Sequence, residues 1–162
     1  KLKKLNLHRL RLVKYFLQSI KKYNFLDPME SRNECKYCNC EKNKRCVSTF
    51  YVMPMKFKKN FINLSRDEFV KIINLEGAKF YTGYVKPLYL QPLYQKKRLF
   101  KFGYPFSAKE NLKANINYRK GSAPVAENLY FNEMILNEHI RHPHRMKDVK
   151  DVINIFEKVC KT

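Results

Sequence analysis

The alternation of helical and strand patterns along the chain constrains its fold more than any other feature. Apolar residues recur at helical spacing over residues 10–23 and again over residues 149–160. Both ends of the chain therefore predict amphipathic helices. We expect the first helix to begin near Leu2. Asp27-Pro28 marks its end or the loop after it, since the residue before a proline avoids helical angles.

Two strand patterns lie between these helices. Residues 47–53 are rich in β-branched and aromatic side chains and predict a strand with both faces at least partly covered, with Pro54 at an edge or a bulge. Residues 78–85 predict the next strand. Between the two strands, a capping box at residues 65–68 predicts the start of a short helix, and Gly77 predicts its end.

The C-terminal part of the chain adds a helix and a strand. Pro124 stands where a first helical turn tolerates proline, so a helix to about Phe131 is expected. Residues 134–136 predict a short strand, whereas residues 28–46 are polar and cysteine-rich and predict a loop. We expect residues 1–162 to form a single domain of the α/β (α+β) class, a small sheet with helices packed on it.

The charge of the chain favours anionic partners in general without identifying one. There are 34 lysines and arginines against 14 aspartates and glutamates, a formal net charge of +20. Such a charge attracts phosphates, nucleic acids and anionic membranes at long range. The basic residues are spread over the whole chain and mostly separate apolar positions, so we interpret them first as solvated helix faces. A basic nucleic-acid-binding module is the alternative function.

The sequence shows no membrane span and no secretion signal. Its longest apolar run, residues 50–55, is far shorter than the roughly 18 residues that a transmembrane helix needs. The basic start has neither an apolar core nor a cleavage site behind it. Five cysteines, four of them crowded together, fit a reducing compartment better than a disulfide framework. We therefore expect a cytoplasmic protein that does not bind membranes.

Two clusters contain residue types that bind metals. Their members are Cys35, Cys38, Cys40, Cys46, His139, His142 and His144. Four thiolates in one polar loop could surround a zinc ion, but the spacing is compact, and free cysteines are the simpler interpretation. Histidines in a proline-containing loop are more often exposed, or part of caps and turns, than ligands. We expect no metal site, with zinc binding by the cysteines as an open alternative.

Two segments carry a more specific signal. The first segment, residues 83–95, reads Gly-Tyr-Val-Lys-Pro-Leu-Tyr-Leu-Gln-Pro-Leu-Tyr-Gln. The second segment, residues 118–127, reads Tyr-Arg-Lys-Gly-Ser-Ala-Pro-Val-Ala-Glu. In this order they resemble the end of the DegT/StrS family of pyridoxal-phosphate-dependent nucleotide-sugar aminotransferases. The resemblance extends over most of the chain and is firmest in the first segment.

The resemblance implies the small C-terminal domain of such an enzyme, with a mostly antiparallel sheet flanked by helices as in fold-type I aminotransferases. In that family a larger N-terminal domain carries the lysine that forms an imine with pyridoxal phosphate (PLP). We expect neither that lysine nor the acidic partner of the pyridine nitrogen in this chain, which alone should have no catalytic residue and no transaminase activity. The complete enzyme is expected to be a homodimer that binds PLP and aminates a nucleotide-linked ketosugar for polysaccharide biosynthesis.

The resemblance also implies which residues face the substrate. In the family, the strand-to-turn region that matches the first segment approaches the substrate side of the active site, often across a dimer interface. The implied substrate-binding residues are Tyr84, Lys86, Tyr89, Gln91 and Arg141. Burial of Tyr89 in the core is an equal alternative. We interpret the second segment mainly as structural, with Gly121 allowing a turn and Glu127 favoured near a helix start.

Overall fold

The computed structural model describes residues 1–29, 49–97, 99–114 and 116–161. Its helices are α1 (Leu2–Ile20), α2 (Arg66–Leu75), α3 (Pro92–Gln95), α4 (Lys109–Lys113), α5 (Pro124–Asn128) and α6 (Met146–Lys161). Its strands are β1 (Leu26–Pro28), β2 (Met53–Phe57), β3 (Tyr81–Thr82) and β4 (Met134–Asn137). A π-helical turn, Leu129–Glu133, links α5 to β4. The four cysteines of the possible zinc loop lie outside the described residues.

The four strands form one antiparallel sheet in the order β1-β2-β4-β3. Met55 of β2 lies opposite Pro28 of β1 on one side and opposite Ile135 of β4 on the other. β3 extends the sheet beyond β4, where Tyr81 lies opposite Leu136. The predicted class, a small antiparallel sheet combined with helices, is confirmed at this level.

The core lies where one face of the sheet meets the long helices α1, α2 and α6. Met53, Met55 and Phe57 alternate along β2 and are all buried, as expected for side chains on one face of a strand. They belong to the same buried cluster as Leu12 of α1 and Ile153 of α6. Burial of this apolar face is the main stabilising contribution to the domain.

Phenylalanine rings join the layers of the core. The Phe156 ring on α6 lies 5.5 Å from the Phe16 ring on α1 and 5.7 Å from the Phe69 ring on α2, centroid to centroid. The Phe80 ring, next to β3, lies 5.3 Å from the same ring. All four side chains are buried, and the three pairs meet edge to face, which is favourable beyond burial alone.

The helix predictions are confirmed with small shifts at their ends. α1 begins where expected and ends at Ile20. At the start of α2, the Ser65 hydroxyl accepts from the Glu68 N–H, while the Glu68 carboxylate accepts from the Ser65 N–H at 2.8 Å. Gly77 follows α2 with a φ of 103°, a conformation that favours glycine. The two C-terminal helices and the short strand between them also lie where predicted.

The strand predicted at residues 47–53 is wrong in position. β2 begins only at Met53. Phe50, just before it, has a φ of 46°, which interrupts an extended chain. The run of β-branched and aromatic residues is therefore a weaker guide than the alternation of Met53, Met55 and Phe57. Residues 47 and 48 lie outside the described residues.

Pro54 lies inside an internal strand, not at the predicted edge or bulge. Its carbonyl accepts a hydrogen bond from the N–H of Met29, the residue after β1 ends. Its backbone polar groups therefore point toward the β1 side, beyond the last residue of that strand. The N–H that proline lacks removes no bond from the β2–β4 ladder, so proline is tolerated here.

The strand predicted at residues 78–85 is reduced to the two residues of β3. The Asn74 side chain of α2 donates to the Phe80 carbonyl and accepts from the Phe80 N–H, both at 2.9 Å, in place of a strand partner. Gly83, with a φ of 62°, ends the strand on the other side. β1 was not predicted, because it contains the Asp27-Pro28 signal that favours a turn.

Replacing Phe156 by alanine is expected to destabilise the fold strongly. The buried ring contacts three other phenylalanines, so its loss leaves a cavity and costs about 3–5 kcal/mol. Val125→Ala, at a residue that is 82% exposed, should change the free energy of unfolding by less than about 0.5 kcal/mol. Denaturant titration followed by circular dichroism measures both values. Equal effects of the two substitutions would contradict the described core.

Candidate functional site

The first and second segments meet in the structure. The Tyr89 hydroxyl donates a hydrogen bond to the Glu127 carboxylate, which also accepts from the Gly121 N–H at 2.7 Å. The Gln95 side chain donates to the Tyr89 carbonyl at 2.5 Å and to the Tyr118 carbonyl at 2.6 Å. These five residues form one hydrogen-bonded unit, the segment junction. Sequence reasoning placed the two segments in one domain but did not identify the side chains that join them.

Glu127 is the buried centre of the segment junction, with only 7% of its surface exposed. The hydrogen bond from Tyr89 holds the pKa of the Glu127 carboxyl below its ordinary value, and the Gly121 N–H acts in the same direction. Burial, followed by the bond to the carboxylate, raises the pKa of the Tyr89 phenol. At neutral pH the carboxylate is therefore ionised and the phenol protonated, the states that this hydrogen bond requires.

Gly83 fixes the point at which the first segment leaves the sheet. Its N–H donates to the Met134 carbonyl at 2.9 Å, and its φ is 62°. A Cβ atom at this position would lie 2.8 Å from Cε2 of the Tyr130 ring. The buried Arg66 side chain donates a hydrogen bond to the Tyr130 carbonyl at 2.6 Å. This bond holds the π-helical turn where Tyr130 lies against Gly83. Only glycine fits this approach without displacing the turn.

The predicted substrate-binding residues of the first segment differ in accessibility. Tyr84 is 58% exposed and Lys86 is exposed, and neither side chain forms a hydrogen bond or salt bridge within the described part of the chain. Tyr89 is half-buried, and its hydroxyl is occupied by Glu127. The Gln91 side-chain amide donates a hydrogen bond to the Lys86 carbonyl at 3.2 Å and so stabilises the turn between these two residues. Tyr84 and Lys86 are therefore the groups available to contact a ligand.

Arg141 lies in the loop after β4, and its described contacts are made within that loop. Its N–H donates to the His139 carbonyl at 2.7 Å, and its carbonyl accepts from the His144 N–H at 2.9 Å. The structure therefore brings Arg141 together with histidines. No described contact connects it to the segment junction or to Tyr84.

All four histidines of the chain gather around this loop. His8 of α1 hydrogen bonds through Nε2 to the His144 carbonyl at 2.7 Å, and its ring centre lies 6.3 Å from that of His142. His144 Nδ1 bonds to the His139 carbonyl at 2.5 Å. His139 Nε2 bonds to the Tyr81 hydroxyl at 2.8 Å. These contacts tie α1, the loop and β3 together, which fits the predicted role of the histidines in turns.

Histidines of this cluster are hydrogen bonded to the backbone and to Tyr81. Among the described residues, no three His, Cys, Asp or Glu side chains are placed to hold a metal ion. Burial, followed by the nearby charges of Lys79 and Arg141, lowers the pKa of His139. Sequence reasoning did not single out His8, which lies 136 residues before His144 and carries no motif. Only the tertiary packing of α1 against this loop reveals its contribution.

No described residue fits the cofactor lysine of an aminotransferase. The buried polar or charged residues are Arg66, Glu127 and Asn137, and every described lysine is at least partly exposed. Imine-forming lysines work in a desolvated pocket that favours the neutral amine.

Comparisons with known proteins do not assign the chain to a family. A scan against protein-family models and a search of curated proteins each found no match. Within the described ranges, none of the helices combines the length and apolar character needed to cross a bilayer.

Gly83→Ala is expected to destabilise the domain by at least about 1–2 kcal/mol, the cost of placing a non-glycine residue in the left-handed region. The new methyl group would also press on the Tyr130 ring. In a Tyr130→Ala background part of this second cost should disappear. A double-mutant cycle of unfolding free energies measures the coupling. A Gly83→Ala substitution that leaves the free energy of unfolding unchanged would show that Gly83 and Tyr130 are not in close contact. A double-mutant cycle with no coupling would show the same.

Glu127→Gln is expected to lower the melting temperature at neutral pH, because it removes the charge that Tyr89 and Gly121 stabilise. Since the folded-state pKa of Glu127 lies below its ordinary value, the ionised group stabilises the fold above that ordinary value. This contribution is lost as the pH falls through the folded-state pKa. The difference in melting temperature between the variant and the parent should therefore shrink from about pH 7 to about pH 3.

The exposed Glu110 provides the control for this experiment. Glu110→Gln should leave the melting temperature nearly unchanged at both pH values. A difference for Glu127→Gln that stays constant on acidification would mean that its charge does not stabilise the segment junction. Differential scanning calorimetry of the three proteins provides the measurement.

Proposed function

We propose that this chain is the small C-terminal domain of a PLP-dependent nucleotide-sugar aminotransferase. The observation that carries the proposal is the segment junction, in which the two segments that resemble the DegT/StrS family meet through Tyr89, Gln95 and Glu127. The antiparallel sheet with its helices is of the class that the proposal requires. In the complete enzyme an amino group passes from an amino acid to a ketosugar, with PLP as the electron sink.

The accessible end of the first segment is the part that faces the substrate. The Tyr84 hydroxyl and the Lys86 ammonium donate hydrogen bonds to oxygen atoms of the sugar. Tyr89 and Gln91 act as positioning residues, because their polar groups are already bonded to Glu127 and to the Lys86 carbonyl. The rigid junction thus presents Tyr84 and Lys86 in a fixed arrangement, which lowers the entropy cost of binding.

The cofactor lysine belongs to a separate large domain in this proposal. That domain, a second copy of the complete chain and the nucleotide sugar are the partners of the domain described above. No described lysine is buried, so we expect no described lysine to form an imine with PLP in the isolated chain. The proposal also places the protein in the cytoplasm, where nucleotide sugars are aminated.

Lys86→Ala is expected to lower kcat/KM for the nucleotide sugar about tenfold in the completed enzyme, the loss of one hydrogen bond from a charged donor. The enzyme is completed by expressing this chain with its large domain, for which the reading frame upstream of Lys1 is the first source to examine. Lys113→Ala, at an exposed lysine of α4, is the matched control and should leave kcat/KM unchanged.

The absorbance spectrum of PLP mixed with the isolated chain is the second measurement that tests the proposed function. Neither a stable imine nor amino transfer is expected until the large domain is present. An imine with the isolated chain would contradict the assignment of the cofactor lysine to another domain. A completed protein that transfers no amino group to any nucleotide-linked ketosugar would contradict the proposed function.

A nucleic-acid-binding module is the second candidate. Within the lysine-rich region that follows the first segment, the rings of Phe100, Phe102 and Tyr104 are 60%, 83% and 56% exposed. Exposed rings among lysines can stack on bases while the ammonium groups contact phosphates. Affinity for unrelated DNA and RNA that falls steeply with salt would favour this function over the first.

A further inference from the structure

A cavity of about 570 Å³ lies between the end of β2, the start of α2 and the π-helical turn. Its volume falls within the range of about 300–1,000 Å³ that is typical of small-molecule sites. Lysines, amides and aromatic rings line it together. This combination is suited to a ligand that has both anionic and planar parts.

The charges that line the cavity are predominantly positive, with four cationic side chains against two anionic ones. Three of the cations are paired: Lys56 with Glu133 at 3.1 Å, Lys58 with Asp27 at 2.8 Å and Arg66 with Asp67 at 2.7 Å. Lys59 forms neither a salt bridge nor a side-chain hydrogen bond within the described residues. The Lys59 ammonium acts on the nearby Glu68 carboxylate only through space, so it remains available to attract an anion such as phosphate.

The start of α2 adds backbone donors to the same wall. The N–H groups of Arg66 and Asp67 have no acceptor within the helix, as in the first turn of any helix, and both residues line the cavity. The Glu68 carboxylate bonds through one oxygen to the Ser65 N–H and to the Ser65 hydroxyl, not to these two groups. The positive end of the helix dipole adds to the charge of Lys59, while the carboxylates of Asp67 and Glu68 in the same turn oppose it in part.

Two rings provide an apolar surface next to these donors. Phe61 lines the cavity and is 61% exposed. Phe131 also lines it, and the Lys120 ammonium lies 5.0 Å from the centre of the Phe131 ring. Nucleobases stack on exposed aromatic rings whatever their sequence, and the adjacent cations suit the attached phosphates.

We propose that this cavity binds the nucleoside diphosphate part of a nucleotide sugar, with the phosphates at Lys59 and the start of α2 and the base against Phe61. The inference rests on the proposed function and deepens it, because it places the nucleotide end of the substrate on this chain. Gly83 contacts Tyr130, and the next three residues of the same turn line the cavity. The turn that lines the cavity therefore also meets the start of the first segment.

Calorimetric titration of the 162-residue chain with UDP, dTDP, uridine and inorganic pyrophosphate tests the site. At physiological salt both nucleoside diphosphates should bind more tightly than uridine or pyrophosphate. Lys59→Ala should weaken UDP binding about tenfold, as expected for one charge-assisted hydrogen bond. Phe61→Ala should weaken UDP binding about tenfold but change pyrophosphate binding less than about twofold.

Lys71→Ala is the matched control. Lys71 is an exposed lysine of α2 that does not line the cavity, so this variant removes the same charge from a chain of net charge +20. Equal weakening by Lys71→Ala and Lys59→Ala would show general attraction of anions and overturn the inference. Absence of UDP binding, or pyrophosphate binding as tight as that of UDP, would also overturn it.

These outcomes are separate from those of the amino-transfer assay. If the completed enzyme transfers amino groups while Lys59→Ala leaves UDP binding unchanged, the cavity assignment fails and the proposed function stands. If UDP binds in the expected pattern while the completed protein transfers no amino group, the cavity assignment stands and the proposed function fails.

Discussion

The burial of Phe156 among three other phenylalanine rings is the interaction on which the rest of the structure depends. It connects the first long helix, the capped helix and the edge of the sheet to the C-terminal helix. Because closely packed interiors transmit displacements, a change at this contact would shift the elements to which the loops are attached. The loops that carry the proposed function are supported by these elements and contribute the buried Leu90.

From this core, a short chain of polar contacts leads to the candidate site. Arg66 is buried and bonded to the Tyr130 carbonyl, and Tyr130 in turn meets Gly83 at the start of the first segment. A few residues further along the chain, the Tyr89 hydroxyl donates a hydrogen bond to Glu127. A buried guanidinium and a buried carboxylate are costly unless they are fully bonded, and here each is satisfied by groups that fix a loop. The polar residues inside this domain thus fix the geometry of the site.

Patterns that extend over a few residues predicted the local structure well. Contacts between residues far apart in the sequence were not predicted. The capping box at Ser65 specified its helix start, because both partners lie within one turn. The strand before Gly83 was predicted too long, since the side chain of Asn74 replaces a strand partner for Phe80 and no local pattern reports this. Within the site, resemblance identified both segments, but the bond between Tyr89 and Glu127 spans 38 positions and is visible only in the fold.

The bonds between Asn74 and Phe80 also determine how the sheet ends. β3 is an edge strand, and the backbone groups of Gly83 point toward β4, so by alternation those of Phe80 point outward. An unpaired outer edge is a template on which another polypeptide can add a strand and begin aggregation. The carboxamide of Asn74 occupies both the donor and the acceptor of Phe80. A side chain of α2 thereby makes the start of this edge unavailable for pairing with another polypeptide.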